Sequence, residues 1–564
     1  MLPVILKWVV FLSPEYFDKS RGHRDTRNAA RTTRHSATLK AQDVRSMEHK
    51  ATGLILLNSK DNVAIATDTL PAGTSQVVNQ ISVTLRSAIP GGHKIAIRAI
   101  RDGEPIIKYG QSIGLAKQNI DAGMHVHTGN LMDHHVVSDD LNDRNPPAPP
   151  TPIEREFQGF HRPDGRVGTR NYVAIISTVN CSASVCHEVV KRFDQGRLKK
   201  WPNVDGVFAA THGSGCALEY HGIKHQMLGR VLAGYATHCN VGGTLVIGLG
   251  CEQTTSGYLT EHHGLVSLHA PDGSKLTRDD GMPMLTMQSE GGTRATIEKA
   301  EALLEQVLDR ANQFQRKPAS AKHLVLGVEC GGSDGYSGLT ANPAVGVVSD
   351  RMVACGGTSI ISETTELYGA EHLLVNRSRS PEVAKKLLDK IQWWKDYVAM
   401  YGGQIDNNPS VGNKAGGLTT ITEKSLGAVS KSGNTALEEV YQYAEPVTKS
   451  GLVVMDSPGF DPASVTGKVA GGANLVMFTT GRGSCFGCKP TPVMKISSNT
   501  SLFERLHEDM DLNAGTILEG EDVDTVGDRF FEYALQVASG EKTCSEKLGL
   551  GDHEFTPWTV GPTV

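Results

Sequence analysis

The chain has 564 residues, more than one hydrophobic core usually organises, which predicts two to four domains. Hydrophobic residues make up 39% and charged residues 21%, and a net charge of −5 with 6% aromatics gives no basic stripe for a nucleic-acid partner. No run of about 18 uncharged apolar residues occurs, which argues against a spanning helix. Ten cysteines in so long a chain read as thiols of a reducing cytoplasm and not as a disulfide framework.

Residues 1–46 stand apart. "LPVILKWVVFL" is a short apolar run broken by Lys7 and followed by an Arg-rich segment from Arg21 to Arg45. It resembles a weak signal or transit peptide, but the apolar part is short and no small-residue cleavage site follows. The expectation is a disordered or spurious extension, with Met47 as the natural start. From 47 to 130, β-rich runs alternate with turn signals, as in "ISVTLRSAI" before "PGGHKIAI", which predicts a small all-β module of hairpins. Its end, "GMHVHTGN", places His125 and His127 at alternate positions, so an extended chain points both imidazoles into one volume with Val126 opposite. A metal, a proton in transit or a packed surface are the three uses for such a pair.

Residues 131–155 hold Pro146, Pro147, Pro149, Pro150 and Pro152, the composition of a stiff linker. Beyond it, near-continuous apolar runs end in Gly, Cys, His or Glu and lead into helical patterns, which predicts α/β domains with parallel sheets. The amphipathic stretch "IEKAEALLEQVLDRANQFQRK" is expected to bridge two such units near residue 318, giving domains 156–318 and 319–564.

In open α/β sheets ligands gather beyond the carboxyl ends of the strands. Cys181, His212 with Cys216, Cys251, Glu329 with Cys330 and Asp334, and Glu363 with Glu366 each follow an expected strand. One such cysteine taken alone is more readily a small core residue, but the repetition favours a ligand set for iron or zinc. Cys485 and Cys488 form a lone CxxC, a weak signal. Glu363 and Glu366, at i and i+3, suit one helix face, for binding a cation or as a solvated helix start. "CGGSDGYSG" and "TTGRGS" lack a phosphate-loop or dinucleotide fingerprint, so a carboxylate is the more economical anion, with Lys414 and Arg482 as clamps or as plain surface charges.

Long, dispersed motifs then carry a family resemblance: "RVGTRNYVAIISTVNC", "VIGLGCE", "VECGGSDGYSGLTANPAVG", "NPSVGNKAGGLTTITEKSLG", "FTTGRGS" and "DLNAGTI". Together they resemble the altronate dehydratase and galactarate dehydratase family of sugar-acid hydro-lyases, from about Gly53 to the C-terminus. The resemblance implies an N-terminal β-clip (SAF-like) module, a central dimerisation domain, hence a homodimer, and a C-terminal variant Rossmann-like domain with iron-dependent activity. "HVHTGN" is closer to the altronate branch, although Gly129 replaces a further histidine of its motif, and "GSCFGCKP" departs from the "GTPYG" of well-known members. The implied reaction is loss of water from a 2,3-dihydroxy acid, for altronate giving 2-keto-3-deoxygluconate. Galactarate, a sulfonated hydroxy acid or a non-catalytic sugar-acid-binding role are the alternatives. His125, His127, Lys414 and Arg482 are the catalytic candidates. Two metal arrangements stay open: Fe2+, or Mn2+, on some of His125, His127, Cys330, Glu363 and Glu366, or an iron–sulfur cluster on Cys181, Cys216 and Cys251.

Overall fold

The structure, a computed structural model, describes residues 53–134, 144–265, 267–269, 275–277 and 282–560. The expected extension 1–46, its boundary at Met47 and part of the 131–155 linker lie outside the described residues. An all-β region followed by α/β domains with parallel sheets is what the chain forms. In the β region, Leu54–Ile55, Val63–Ala66, Lys94–Ala96 and His125–Val126 form an antiparallel sheet. The hairpin Ser75–Val78/Ile81–Thr84 turns through Asn79 and Gln80, both at positive φ, the geometry that matches strand twist in a two-residue loop. A three-stranded sheet of Pro105–Lys108, Gln111–Ala116 and Leu131–Met132 completes the region.

Residues 144–155 run without regular structure along the C-terminal part of the chain, with the Asn145 N–H bonded to the Asn376 carbonyl and Ile153 to Ala354. The next strand, Glu156–His161, pairs antiparallel with Arg316–Ser320. Between them lies a parallel sheet whose strands, Tyr172–Ser177, Gly206–Ala210, Val241–Gly248 and Met284–Thr286, sit in the spatial order 2-1-3-4. The helix expected to bridge two units is Thr293–Ala311, and its role differs. Ile297, Ala300, Leu304, Val307, Leu308 and Ala311, at helical spacing, turn inward onto Val241–Gly248 of this sheet. The strand Arg316–Ser320 carries the chain onward instead.

The last region is built on a seven-stranded, all-parallel sheet. Numbered along the chain, its strands Val325–Cys330, Thr358–Ile361, Leu437–Tyr441, Gly451–Met455, Leu475–Thr480, Val493–Ser497 and Leu512–Asn513 lie in the order 3-4-2-1-5-6-7. This is a variant of the doubly wound arrangement. The strand order reverses between Val325–Cys330 and Leu475–Thr480, the place where a crevice opens beyond the carboxyl ends. Helices Ala341–Ala354 and Val523–Ala538 pack together on the sheet through Ala344, Val345, Val348, Phe530 and Ala534. Among the described residues no helix is long and apolar enough to cross a membrane.

Candidate active site

The crevice of the seven-stranded sheet collects buried charge. Glu329 and Cys330 end the first strand, Glu363 and Glu366 follow the second, and Asp461 opens the helix Asp461–Ala470. Glu363 and Glu366 do not share an α-helical face as the spacing suggested. Thr364–Glu366 is a single 3-10 turn, and Glu363 precedes it in the left-handed region at φ 62°, held there by its N–H donating to Ser457 Oγ at 2.9 Å. Such a backbone costs about 1–3 kcal/mol and persists where surrounding contacts over-determine it. The result is convergence: ligand atoms of Cys330, Glu363 and Glu366 lie within 4.8 Å of one another, and so do those of Glu329, Glu363 and Asp461.

Lysines answer the acids. Lys431 Nζ is 2.6 Å from Cys330 Sγ and 3.3 Å from Glu363 Oε2. Lys424 Nζ donates to Glu366 Oε1 at 2.6 Å, and Lys468 pairs with Glu329. Four carboxylates thus face three ammoniums, so full ionisation leaves one negative charge over in a region nearly closed to water. Burial, then repulsion from Glu329, pushes Glu363 up to about 7, and burial with Glu363 and Glu366 nearby pushes Asp461 to about 7 as well. Burial drives the Cys330 thiol far above its ordinary range, with Lys431 opposing.

This set fits a divalent cation. Oε1 of Glu329 and Oε1 of Glu363 are buried without a hydrogen-bond partner, and each such orphan is costly unless something electropositive meets it. A divalent ion bound with Cys330 as thiolate brings the cluster to neutrality. The sulfur and carboxylate donors suit a borderline transition ion better than magnesium or calcium.

The histidine pair stands at the rim. The ring centroids of His125 and His127 are 4.8 Å apart, and a third ring joins them: His93 Nδ1 lies 3.0 Å from His125 Nε2. His93 Nε2 reaches the Ala415 carbonyl at 3.2 Å, and a carbonyl only accepts, so His93 carries its proton on Nε2 and accepts at Nδ1 from His125. That leaves Nδ1 as the acceptor of His125. Burial, followed by the other two histidines, lowers His125 to about 4, so it is neutral near pH 7. His127 Nδ1 accepts the Gly129 N–H at 3.0 Å, which places the proton of the neutral ring on Nε2.

Close backbone contact delivers these rings. A Cβ at Gly335 or at Gly417 would collide with the Gly92 carbonyl, so the turn before His93 seats directly on the loop 331–337 and on the residues 416–417 that follow a short helix. Below it, Lys94 and Lys108 of the β region share the fully buried Glu423 of helix Ile421–Val429 at 2.8–2.9 Å. Lys414 is half-buried in the short helix Val411–Ala415, and Arg482 is exposed after Leu475–Thr480 with its N–H on the Gly332 carbonyl. Both border the same crevice. Asp334 is spent on loop structure, accepting from the Ser337 and Ser498 hydroxyls and the Tyr336 and Ser337 N–H groups.

The remaining candidates lie elsewhere. Cys181, Cys216 and Cys251 sit beyond the other parallel sheet. His212 beside them has both ring nitrogens on backbone, Nε2 at Ser177 O and Nδ1 at Ser214 N. Cys485 is exposed, while Cys488 is buried with its sulfur 3.9 Å from the Tyr235 hydroxyl.

Three family descriptions match the chain in order: "Altronate/galactarate dehydratase SAF domain" over residues 52–134, "D-galactarate dehydratase/Altronate hydrolase, second domain" over 159–312, and "D-galactarate/Altronate dehydratase, C-terminal" over 321–563. The chain belongs to the altronate and galactarate dehydratase family. It is 34% identical to the altronate dehydratase of Escherichia coli K12 over 87% of this chain and 96% of that one, and 33% identical to that of Bacillus subtilis 168 with the same coverage. It is 37% identical to the galactarate dehydratase (L-threo-forming) of E. coli K12 over 88% of this chain and 95% of the relative. As a member of this family the chain is a hydro-lyase, a sugar-acid dehydratase.

Proposed function

We propose that the substrate is D-altronate, converted to 2-keto-3-deoxy-D-gluconate and water in the crevice of the seven-stranded sheet. The proton beside a carboxylate is weakly acidic, so a base needs help from groups that stabilise the charge it leaves. A ferrous ion on Cys330, Glu363 and Glu366, with Mn2+ as the alternative, would supply that Lewis-acid stabilisation. Arg482 and Lys414 attract the substrate carboxylate from the rim. His125 takes the carbon-bound proton at Nδ1, while its Nε2–H stays on His93 and so fixes the ring. An anionic substrate beside it raises its low pKa toward the working range. His127 offers its Nε2 proton to the departing 3-hydroxyl.

The observation that carries this reading is the segment 408–417, which touches both groups of residues. Asn408 Nδ2 donates to Glu366 Oε1 at 2.7 Å, and Ala415 O receives His93 at the other end. One short segment therefore links the seat of the histidines to a candidate metal donor, which supports placing proton transfer and cation binding at one site. The histidine pair favours altronate, and the 37% identity to a galactarate dehydratase favours galactarate as the second reading. Turnover of a panel of hexonates and hexarates, followed by keto-acid formation in iron-supplied anaerobic enzyme, tests both. Altronate should give the highest kcat/KM; preference for galactarate establishes the second reading, and no keto acid from any member would refute both.

A further inference from the structure

The smaller parallel sheet has its own crevice, and the reading above makes no use of it. Its order 2-1-3-4 reverses at Tyr172–Ser177, and the three adjacent strands Gly206–Ala210, Tyr172–Ser177 and Val241–Gly248 each lead into a loop or helix start that carries a cysteine. Cys181 is in the first turn of helix Asn180–Lys191, Cys216 ends the segment after the second strand, and Cys251 follows the third. These segments are tied together by backbone. The Asn180 N–H donates to Ser214 O at 2.9 Å, and the Gln253 N–H to Gly215 O at 2.9 Å. A Cβ at Gly215, which sits at φ 103°, would press into Thr178 and Val179, so glycine permits the approach. Burial, and then the nearby Cys181 and Cys251, push the Cys216 thiol up. Cys181 and Cys251 are exposed and Cys216 half-exposed, so the set has an open side.

We propose that Cys181, Cys216 and Cys251 hold a [4Fe–4S] cluster whose fourth iron has no protein thiolate and faces the open side. Three separate segments presenting three thiolates match that coordination. A single zinc fits worse. Zn–S bonds of about 2.3 Å keep any two thiolates on one ion within about 4.6 Å. Among the described residues, the donor groups that close to within 4.8 Å all round are the two in the larger crevice, and the three cysteines do not. His212 is unavailable as a fourth ligand because backbone groups take both its nitrogens. Gln288 Nε2, 3.7 Å from Cys251 Sγ, points an N–H donor at a sulfur, a contact that tunes clusters. Glu252 supports the floor of the site through Thr178 Oγ1 at 2.8 Å and the Gly250 N–H at 2.6 Å.

The test uses the full chain purified without oxygen and, separately, rebuilt with ferrous iron and sulfide under thiol. Expected are iron in excess of acid-labile sulfide by the one further ion of the larger crevice, the broad visible absorption of a cubane, and a paramagnetic signal after reduction. Cys216→Ser should lose sulfide, absorption and signal, and Cys251→Ser, at an exposed position, should do the same if the first variant folds poorly. Glu363→Gln should keep all three, which separates this site from the proposed ferrous site. Zinc in place of iron, no acid-labile sulfide after rebuilding, or a cluster that survives both cysteine variants would overturn the proposal. None of those results alters the reading of the larger crevice.

Discussion

Glu423→Gln is the sharpest perturbation available to the joint between the β region and the larger crevice. Glu423 is fully buried, receives Lys94 and Lys108, and also accepts from the Thr419 N–H at 2.9 Å and the Thr419 hydroxyl at 2.6 Å. Glutamine keeps the shape and removes the charge, leaving two ammoniums out of water without a counterion. Breaking a buried pair in this way costs about 3–5 kcal/mol. Discharge of Lys94 at pH 7 is a smaller step: from about 8 it is a further drop of about 1 pH unit, roughly 1.4 kcal/mol. Burial already lowers Lys94 to about 8, with Lys108 adding to it and Glu423 opposing, so Lys94 is the one to yield.

The pH dependence fixes the sign. Burial works against the Glu423 charge, yet Lys108 and Lys94 outweigh it and hold the carboxyl at about 2, below its ordinary 4.5. Its contribution is therefore present above about pH 4.5 and lost as pH falls toward 2. The variant lacks that acid limb. Without the carboxylate, Lys94, already below 10.5, falls further, so the unfolded chain binds more protons in alkali and the variant gains stability as pH rises from 7 to 10. Thermal unfolding of full-length protein, with limited proteolysis of residues 53–134, should show a large loss at pH 7 that narrows by pH 10. An unchanged melting temperature, or a deficit that does not vary with pH, would refute the ion-pair argument.

The remaining predictions concern the crevice. His125→Ala and His127→Ala should each lower kcat by about 10²- to 10⁴-fold while costing about 1 kcal/mol of stability; normal turnover in both would make the pair structural. Glu363→Gln should raise the iron needed for half-maximal activity at least tenfold with folding retained, because Glu363 belongs to both donor groups; an unchanged iron titration would remove it from the coordination sphere.

Much of the architecture was legible because it is written in local signals. Gly-containing turns such as Tyr109–Gly110 separate the β strands, and near-continuous apolar runs such as the one that opens Val325–Cys330 mark parallel strands buried on both faces. Cys330, Glu363 and Glu366 were visible as polar residues at the ends of such runs. Asp461, Lys424, Lys431 and Lys468 were not. A lysine in "TEKSLGAVSKSG" reads as surface charge, and only tertiary packing buries it. His93 had a signal too: it follows a Gly-Gly turn and immediately precedes the strand Lys94–Ala96 that pairs with His125–Val126, and residues on paired strands meet across the ladder.

The unread lysines explain how the parts of the site are held in register. Helix Ile421–Val429 is buried along its whole length, so neighbouring residues can serve different regions. Glu423 points to Lys94 and Lys108 of the β region, Lys424 to Glu366, and Lys431, just beyond the helix, to Cys330 and Glu363. Thr420 adds a bond to the Ile113 carbonyl at 2.7 Å, and Thr422 one to Asp133 at 3.0 Å. One rigid element therefore fixes the seat of the histidines and the charge balance of the metal donors together. A surface loop could not do this, because screened, mobile ammoniums would neither hold four carboxylates close nor set the position of an imidazole to the few tenths of an ångström that proton transfer demands. The buried lysines add little net stability for their desolvation. What they supply is near-neutrality for four clustered carboxylates, with one negative charge left over only at full ionisation.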